Sequence, residues 1–330
     1  MESERCETGV TVPNTTGAKS VDRIYVAATA HDARLARICI ASIREYYADI
    51  PIYLLPGGPL KPDFVEEVDG FWNVKVADIP AGEYGWGFVK FEPLFMEPGT
   101  SFLMIDADTV MTGPILEQVP EEFSGHGESD EQLHFIIDDE VLPDGGRYGL
   151  YFDCEKLESI TGEQFRPEFL FNTGQWCGRT GTLTREMFSR WVEWSMPRAL
   201  RHPEVFFNGD QGVLNLVVNQ KCQQAAIQVK RVPLMHWPGW GMRDFDARSI
   251  SAGKAPVRII HWAGVKAARI GSMPGADVLL HFEKRYYEKI PNGWYLRIAR
   301  SAASATKHWY RNFRIWLRLF WQKKILKSGS

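Results

Sequence analysis

Two aspartates one residue apart follow an apolar run near the first third of the sequence. Residues 102–105 read Phe-Leu-Met-Ile, and Asp106 and Asp108 come directly after them. The run is short for a helix and predicts a buried strand of a parallel sheet, from which both carboxylates point the same way. Paired carboxylates at a strand end form a hard-oxygen site for Mg²⁺ or Mn²⁺ that leaves positions open for phosphate oxygens. The alternative is a pair of turn-capping aspartates ahead of Gly113.

Two basic groups elsewhere in the chain fit the same chemistry. His261 follows a predicted strand at 257–260 that is apolar except for Arg258, and a histidine at a strand end is an ordinary metal ligand or, alternatively, a hydrogen-bonded core residue. Lys90 lies shortly before the aspartate pair and could reach a diphosphate as a point charge, or lie on the surface of a helix. The acids at 138–140 predict a solvated loop or a contact with a sugar hydroxyl.

Two polar stretches interrupt apolar runs later in the sequence. Asn172 and Gly174 belong to an Asn-Thr-Gly turn, where backbone either turns or approaches a ligand closely. Asp210 is predicted to cap an apolar helix, with Gln211 in its first turn. Capping alone accounts for the aspartate but not for the glutamine that follows it.

Two tryptophans lie on a loop rich in glycine and proline. Trp237 and Trp240 are separated by a Pro-Gly pair, which disfavours regular structure. Exposed indole rings can stack on sugar rings, whereas buried ones would close the core. Both interpretations remain open from the sequence.

The first third of the chain alternates between strand and helix patterns. The predicted segments are strand 23–29, helix 33–47, strand 51–55, helix 64–68 and strand 74–76. This order predicts an α/β protein whose parallel sheet has helices on both faces. Ligands of such sheets bind beyond the C-terminal strand ends, where Thr29, His31 and Asp106 are expected.

Composition and charge restrict the classes of function. The chain has 330 residues and a net charge of −3, which suits one large domain or two modest ones. Its five scattered cysteines include no Cys-x-x-Cys pair, which argues against a zinc site and fits a reducing compartment. We find neither a signal-peptide pattern nor an apolar stretch of about 18 residues, so we predict no spanning helix.

The sequence predicts three regions of different character. Residues 1–20 form a polar, disordered lead-in, residues 21–288 a catalytic body, and residues 289–330 a basic aromatic helical tail. The tail holds 10 Lys or Arg and no acid, whereas the rest holds 28 basic and 41 acidic residues.

The end of the tail has an amphipathic pattern. Its apolar side is formed by Trp309, Phe313, Trp316, Leu317 and Phe320. Such a helix favours an anionic membrane surface, with packing on the body or on a second subunit as the alternative. No nucleic-acid reading motif accompanies it. We therefore expect a cytoplasmic protein that is peripheral at the cytoplasmic face of a membrane.

Four motifs in one order carry a family resemblance. The segments Asp106-Ala107-Asp108, 171–174, Asp210-Gln211 and 261–264 resemble glycosyltransferases of family 8, which include glycogenin and lipooligosaccharide galactosyltransferases. The resemblance covers residues 22–270. It implies the GT-A fold, with a mostly parallel, Rossmann-like central sheet flanked by helices.

The resemblance also implies roles for individual residues. Mn²⁺ (or Mg²⁺) would be held by Asp106, Asp108 and His261. Asn172 and Asp210 would bond donor hydroxyls, with Gln211 near the anomeric carbon. The residues expected to contact the nucleotide and its diphosphate are Ala28, Thr29, Asp32, Lys90, Ala107, Gly264 and Lys266.

One feature departs from the family pattern. The family has His-x-x-Gly-x-x-Lys, whereas Lys266 comes one residue early and Ala267 and Ala268 follow it. This points to a divergent member and weakens the expected retention of anomeric configuration.

The implied activity is metal-dependent sugar transfer from a nucleotide sugar, a UDP-sugar in particular, to an acceptor hydroxyl, with retention. The acceptor would be a lipid-linked or cell-surface glycan. Two alternatives stand beside it: a nucleotidyltransferase, which should carry a Gly-rich basic loop after the first strand, and a membrane-docked binding module. Residues 28–32 contain neither Gly nor Lys. A dinucleotide dehydrogenase is disfavoured because no Gly-x-Gly-x-x-Gly follows that strand.

Overall fold

A computed structural model describes residues 20–80, 82–124, 132–138, 151–207, 209–265, 270–303 and 306. Within these residues the strands are β1 (Arg23–Ala28), β2 (Ile52–Pro56), β3 (Val74–Val76), β4 (Ser101–Asp106), β5 (Thr109–Met111), β6 (Phe135–Ile137), β7 (Gln175–Arg179), β8 (Val192–Glu193), β9 (Ala199–Leu200), β10 (Val229–Arg231), β11 (Met235–His236) and β12 (Ile259–His261). The α-helices are α1 (Ala33–Tyr46), α2 (Pro62–Trp72), α3 (Cys154–Thr161), α4 (Arg185–Phe188), α5 (Gly209–Gln223), α6 (Ala247–Ser251) and α7 (Ala276–Glu288).

Shorter helical segments complete the described elements. The 3₁₀ segments are Gly85–Phe95, Ile115–Gln118, Glu121–Ser124, Pro238–Trp240 and Ile270–Ser272. Residues 293–303 are helical as well and are called the C-terminal helix below. None of the helices in the described part of the chain has both the length and the apolar composition that crossing a bilayer requires. The amphipathic pattern predicted around residues 309–322 lies outside the described residues.

A seven-stranded sheet forms the centre of the molecule. Its order is β10-β6-β7-β4-β1-β2-β3. Strands β3, β2, β1 and β4 run parallel, as do β6 and β10, whereas β7 is antiparallel to both of its neighbours. The predicted α/β architecture with a mostly parallel sheet is therefore confirmed. The reversed strand β7 was not predicted.

Burial on both faces explains why β1 and β4 are apolar. Ile24 and Val26 of β1 and Leu103 and Ile105 of β4 lie in the core that packs against α1, α2 and α7. The opposite face packs against α5 and the segment Gly85–Phe95. A strand covered on both sides needs apolar residues at every position, which is the pattern that the sequence has here.

The predicted element bounds are close to those observed. The helix predicted at 64–68 is longer, because Pro62 is compatible with the first helical turn. It ends at Trp72, where Asn73 adopts a left-handed conformation with φ of 50°. The helix predicted to start after Asp210 begins at Gly209 instead, so Asp210 lies inside the first turn rather than at the N-cap.

Candidate metal and donor site

A second, three-stranded sheet brings the histidine to the aspartate pair. Its order is β11-β12-β5, and β5 runs antiparallel to β12, with Thr109 opposite His261. The Trp262 N–H donates to the Asp108 carbonyl oxygen at 3.0 Å. Since β5 follows β4 after a two-residue turn, this pairing places His261 beside Asp106 and Asp108 although 153 residues separate His261 from Asp108.

The three side chains form one group of potential metal ligands. His261 Nε2 lies 3.4 Å from Asp108 Oδ1 and 3.8 Å from Asp106 Oδ2, and one ligand atom from each residue lies within 4.8 Å of the others. These separations exceed an ordinary N–H···O hydrogen bond of about 2.9 Å and suit atoms that face a shared centre. Both aspartates point to the same side, as predicted. Two carboxylates and an imidazole suit Mn²⁺ or Mg²⁺ better than soft metals.

Packing holds the imidazole ring in this orientation. Trp237 stacks on His261, with ring centroids 5.7 Å apart and planes at 14°. Gly174 lies against the ring edge, where a Cβ atom would be 2.1 Å from His261 Cε1. His261 Nδ1 is buried and has no hydrogen-bond partner among the described residues. The position of the ring is thus set by packing against Trp237 and Gly174, and only Nε2 faces the carboxylates.

The Asn-Thr-Gly turn lies beneath this group. The Asn172 Oδ1 accepts from the Gly174 N–H at 2.8 Å, and the Asp106 N–H donates to the Gly174 carbonyl at 2.9 Å. Asn172 is buried and its side-chain oxygen fixes the turn. The backbone turns here, and the neighbour that Gly174 approaches closely is the His261 ring.

Lys90 links the metal-ligand group to α5. Its Nζ lies 2.6 Å from Asp210 Oδ2 and 3.2 Å from Asp106 Oδ1, and it donates to Thr173 Oγ1 at 3.2 Å. The residue is buried, which excludes the surface alternative. Burial alone would lower the pKa of the ammonium, but Asp106 and Asp210 outweigh burial and raise the pKa above its usual range.

The two carboxylates around Lys90, those of Asp106 and Asp210, have different surroundings. Burial raises the pKa of Asp106, with Lys90 opposing that effect and Asp108 adding to it. Asp210 Oδ2 also accepts from Thr173 Oγ1 at 2.6 Å. Gly87, with φ of 78°, gives Asp210 room, since a Cβ at this position would lie 2.6 Å from its Oδ1. Gln211 lies half-buried in the next position of α5.

The other end of the site is formed by the turn after β1. Asp32 Oδ2 accepts from the Thr29 N–H at 3.1 Å and from Thr29 Oγ1 at 2.7 Å. The Gly57 N–H donates to the Ala28 carbonyl at 2.9 Å, and the Tyr84 N–H donates to the Gly57 carbonyl at 3.0 Å. These bonds fix polar groups at the C-terminal edges of β1 and β2.

One cavity of about 320 Å³ joins the two ends. Its lining residues are Ala27, Ala28, Thr29, Asp32, Gly57, Tyr84, Gly87, Val89, Lys90, Asp106, Ala107, Asp108, His261, Ala263 and Gly264. Every residue predicted to contact the nucleotide or metal lies here except Lys266, which lies outside the described residues. Asn172 and Asp210 lie beside the cavity and connect to it through Gly174 and Lys90.

Three residues gained a role only from the structure, and a fourth, Trp237, gained a partner there. Thr173 bridges Lys90 and Asp210, Gly87 makes space for Asp210, Tyr84 lines the cavity, and the half-buried Trp237 stacks on His261. Thr173 could have been found from its place inside the Asn-Thr-Gly turn. Gly87 and Tyr84 carry no local signal, because their partners are distant in sequence.

The other predicted groups have separate places. Trp240 is 73% exposed and lies at the end of the turn Pro238–Trp240, so it is not part of the core. Asp138 Oδ2 accepts from the Leu234 and Met235 N–H groups at 2.8 and 2.5 Å. Asp138 is thus a backbone-binding residue, while 139 and 140 lie outside the described residues.

Comparison with known proteins relates the fold of this chain to solved structures. No protein-family profile and no curated sequence matches the chain. Among solved structures, the bifunctional glycosyltransferase WbbM superposes with a TM-score of 0.50 at 14% identity, covering 82% of this chain and 50% of WbbM. The chain thus spans half the length of that protein.

Two structures of LgtC are also similar. An active-site mutant of LgtC superposes with a TM-score of 0.50 at 14% identity, covering 83% of this chain and 99% of LgtC. The galactosyltransferase LgtC with donor and acceptor sugar analogues gives 0.49 at 14% identity, over 83% of this chain and 99% of LgtC. The described chain has the GT-A fold that these glycosyltransferases share.

Proposed function

We propose that this protein is a metal-dependent glycosyltransferase that transfers a sugar from a nucleotide sugar, a UDP-sugar, to an acceptor hydroxyl. The observation that carries the proposal is the single cavity in which Asp106, Asp108 and His261 converge beside the buried cation of Lys90. The cavity lies at the C-terminal edge of β1 and β4, where sheets of this type bind ligands.

The metal site suits a divalent cation with a diphosphate. Asp106, Asp108 and His261 would hold Mn²⁺ or Mg²⁺ on one side. A bound cation would supply positive charge against the diphosphate oxygens of the donor. The oxygen and nitrogen donors, and the buried His261 Nδ1 that leaves Nε2 for ligation, support this assignment.

Lys90 would stabilise the charge that builds on the leaving diphosphate. Its ammonium is already fixed by Asp106, Asp210 and Thr173, so little reorganisation is needed when charge develops. Thr29 and Asp32, with the backbone of Ala28, would contact the nucleoside at the opposite end. Ala107 and Gly264 would let the diphosphate approach closely, and we keep Lys266 as a second phosphate contact.

The transfer replaces one bond at the anomeric carbon by another. The bond from that carbon to the diphosphate oxygen breaks and a bond to the acceptor oxygen forms, while the acceptor proton passes to the leaving diphosphate. Asn172 and Asp210 would orient donor hydroxyls, and Gln211 would face the anomeric carbon on the side opposite to attack if configuration is retained. The acceptor would be a glycan, free or lipid-linked.

The test is UDP release from a panel of UDP-sugars with Mn²⁺, in the presence of glycan acceptors. We expect one sugar to be turned over by the wild type and none by Asp108→Asn, with Asp63→Asn as an exposed-carboxylate control. Transfer without any divalent cation would refute the metal assignment. Release of pyrophosphate from a sugar phosphate and a nucleoside triphosphate would instead identify a nucleotidyltransferase. If the protein binds no nucleotide in either assay, the remaining interpretation is a non-catalytic binding module.

A further inference from the structure

The C-terminal helix faces solvent with its apolar side. Trp294, Tyr295 and Ile298 are 70%, 60% and 59% exposed, and they are among the most exposed large apolar residues of the described chain. At helical spacing they lie on one side, with the exposed Ala299 and Ala302 between and beside them. No charged residue interrupts this side within residues 293–303. We call these five residues the outward face.

The charged residues of the same helix point inward. Arg297 Nε lies 3.0 Å from Glu283 Oε2, and Arg300 Nη2 lies 2.6 Å from Glu67 Oε2. Both glutamates are buried. The helix is therefore arranged opposite to an ordinary surface helix, whose apolar side packs on the core.

Additional bonds fix this inverted orientation. Glu67 Oε1 also accepts from Arg37 Nε at 2.7 Å and from the Tyr286 hydroxyl at 2.8 Å, and Glu283 Oε1 accepts from Arg34 Nε at 2.7 Å. Rotating the helix to bury Trp294 would leave two buried carboxylates with fewer cationic partners, which is costly. The exposed apolar side is thus built into the fold.

We propose that the outward face docks on an anionic lipid bilayer, inserting Trp294, Tyr295 and Ile298 at the level of the headgroups. Tryptophan and tyrosine favour this interface because their rings are apolar and their tips polar. The chain that follows supplies matching charge: residues 307–330 contain seven Lys or Arg and no Asp or Glu. Two attractions, apolar insertion and basic charge, are what stable and reversible surface binding requires.

This inference is independent of the donor site. It concerns a different surface, and it would stand if the proposed transfer reaction were wrong. If both hold, the enzyme meets its acceptor at a membrane.

The experiment is sedimentation of the full chain with phosphatidylcholine vesicles, with and without phosphatidylglycerol. The test variant is Trp294→Ser/Tyr295→Ser/Ile298→Ser. The control is Met187→Ser/Val76→Ser, which removes apolar side chains that are 37% and 39% exposed elsewhere. Circular dichroism melting checks that both variants fold.

We expect the wild type and the control to bind the anionic vesicles, more weakly at high salt, and the test variant to bind at least tenfold more weakly. Equal binding by the test variant, or no binding by the wild type, would overturn the proposal. A wild type that forms dimers in solution while the test variant is monomeric would also overturn it, because a second copy of the chain would then cover the outward face.

Discussion

Lys90 of the segment Gly85–Phe95 and Asp210 at the start of α5 form an ion pair, with Nζ and Oδ2 2.6 Å apart, in which the lysine is buried. Asp106 Oδ1 and Thr173 Oγ1 lie at 3.2 Å from the same ammonium. One cation thus ties together residues from four separate stretches of sequence. Because its bonds are made within the protein, the charge is in place before a substrate arrives.

Replacing Lys90 by Met should lower kcat for sugar transfer by about 10²–10³-fold, the usual loss when one charge-stabilising donor is removed. It also leaves Asp106 and Asp210 without their shared cation, so we expect a lower melting temperature. Lys90→Arg should recover part of the stability, because a cation is restored. Steady-state kinetics and thermal melting measure the two effects.

The exposed residue Lys75 supplies the matched control, since Lys75→Met removes a cation that pairs only with Asp69 among the described residues. A Lys90→Met enzyme with kcat near that of Lys75→Met would show that Lys90 is merely structural.

Replacing Gly174 by Ala should weaken divalent-metal binding while the sheet stays folded. The new Cβ would lie 2.1 Å from His261 Cε1 and 2.9 Å from Asn172 Oδ1, so the imidazole must move away from Asp106 and Asp108. We expect at least tenfold weaker Mn²⁺ binding, measured by the paramagnetic resonance signal of free Mn²⁺. Gly70→Ala is the control, because a Cβ there meets nothing within 4 Å. Unchanged Mn²⁺ affinity in Gly174→Ala would remove His261 from the ligand set.

Acid should weaken the anchoring of the C-terminal helix at Glu67. Burial raises the pKa of this carboxyl, but Arg300, Arg37 and Tyr286 outweigh burial, so the folded-state pKa lies below its usual value. The stabilisation is therefore complete above the unfolded-state pKa and is lost as pH falls through the folded-state pKa.

The corresponding variant is Glu67→Gln. At pH 7 it should lower the free energy of unfolding by about 1.5–3 kcal/mol, since it loses hydrogen bonds between charged groups. In strong acid the wild-type carboxyl is protonated as well, so the difference should shrink. Urea titrations at pH 7 and in strong acid measure this difference in the free energy of unfolding, with the exposed Glu163→Gln as control. A difference that grows on acidification would contradict the assigned direction of the pKa shift.

Local patterns were enough to predict the parallel strands and the aspartate pair, whereas His261 was joined to the pair only through the family resemblance. The run at 102–105 has to be apolar because both faces of β4 are covered. Ile259 and Ile260, just ahead of His261, are apolar because they are buried in the core that packs against α1, α2 and α7. Asp108 lies in the turn after β4 rather than on the strand, and its carboxylate still lies close to that of Asp106. These features depend on residues close in sequence, or on the ordered motifs of a family resemblance.

Long-range contacts were beyond the sequence. The reversal of β7, the Lys90–Asp210 pair and the stacking of Trp237 on His261 each join segments separated by tens of residues or more. The orientation of the C-terminal helix also depends on distant residues. Its sequence permits either side to face the body, and the choice depends on Glu67 and Glu283, which are buried on α2 and α7.

The most direct test of the central claim is calorimetric titration of UDP into the protein, with Mn²⁺ or with a chelator. Our account predicts binding that requires Mn²⁺ in the wild type and in Asp63→Asn, and that weakens at least a hundredfold in Asp108→Asn. Equal UDP affinity with Mn²⁺ and with chelator, or full affinity in folded Asp108→Asn, would show that Asp106, Asp108 and His261 do not hold a metal for the diphosphate.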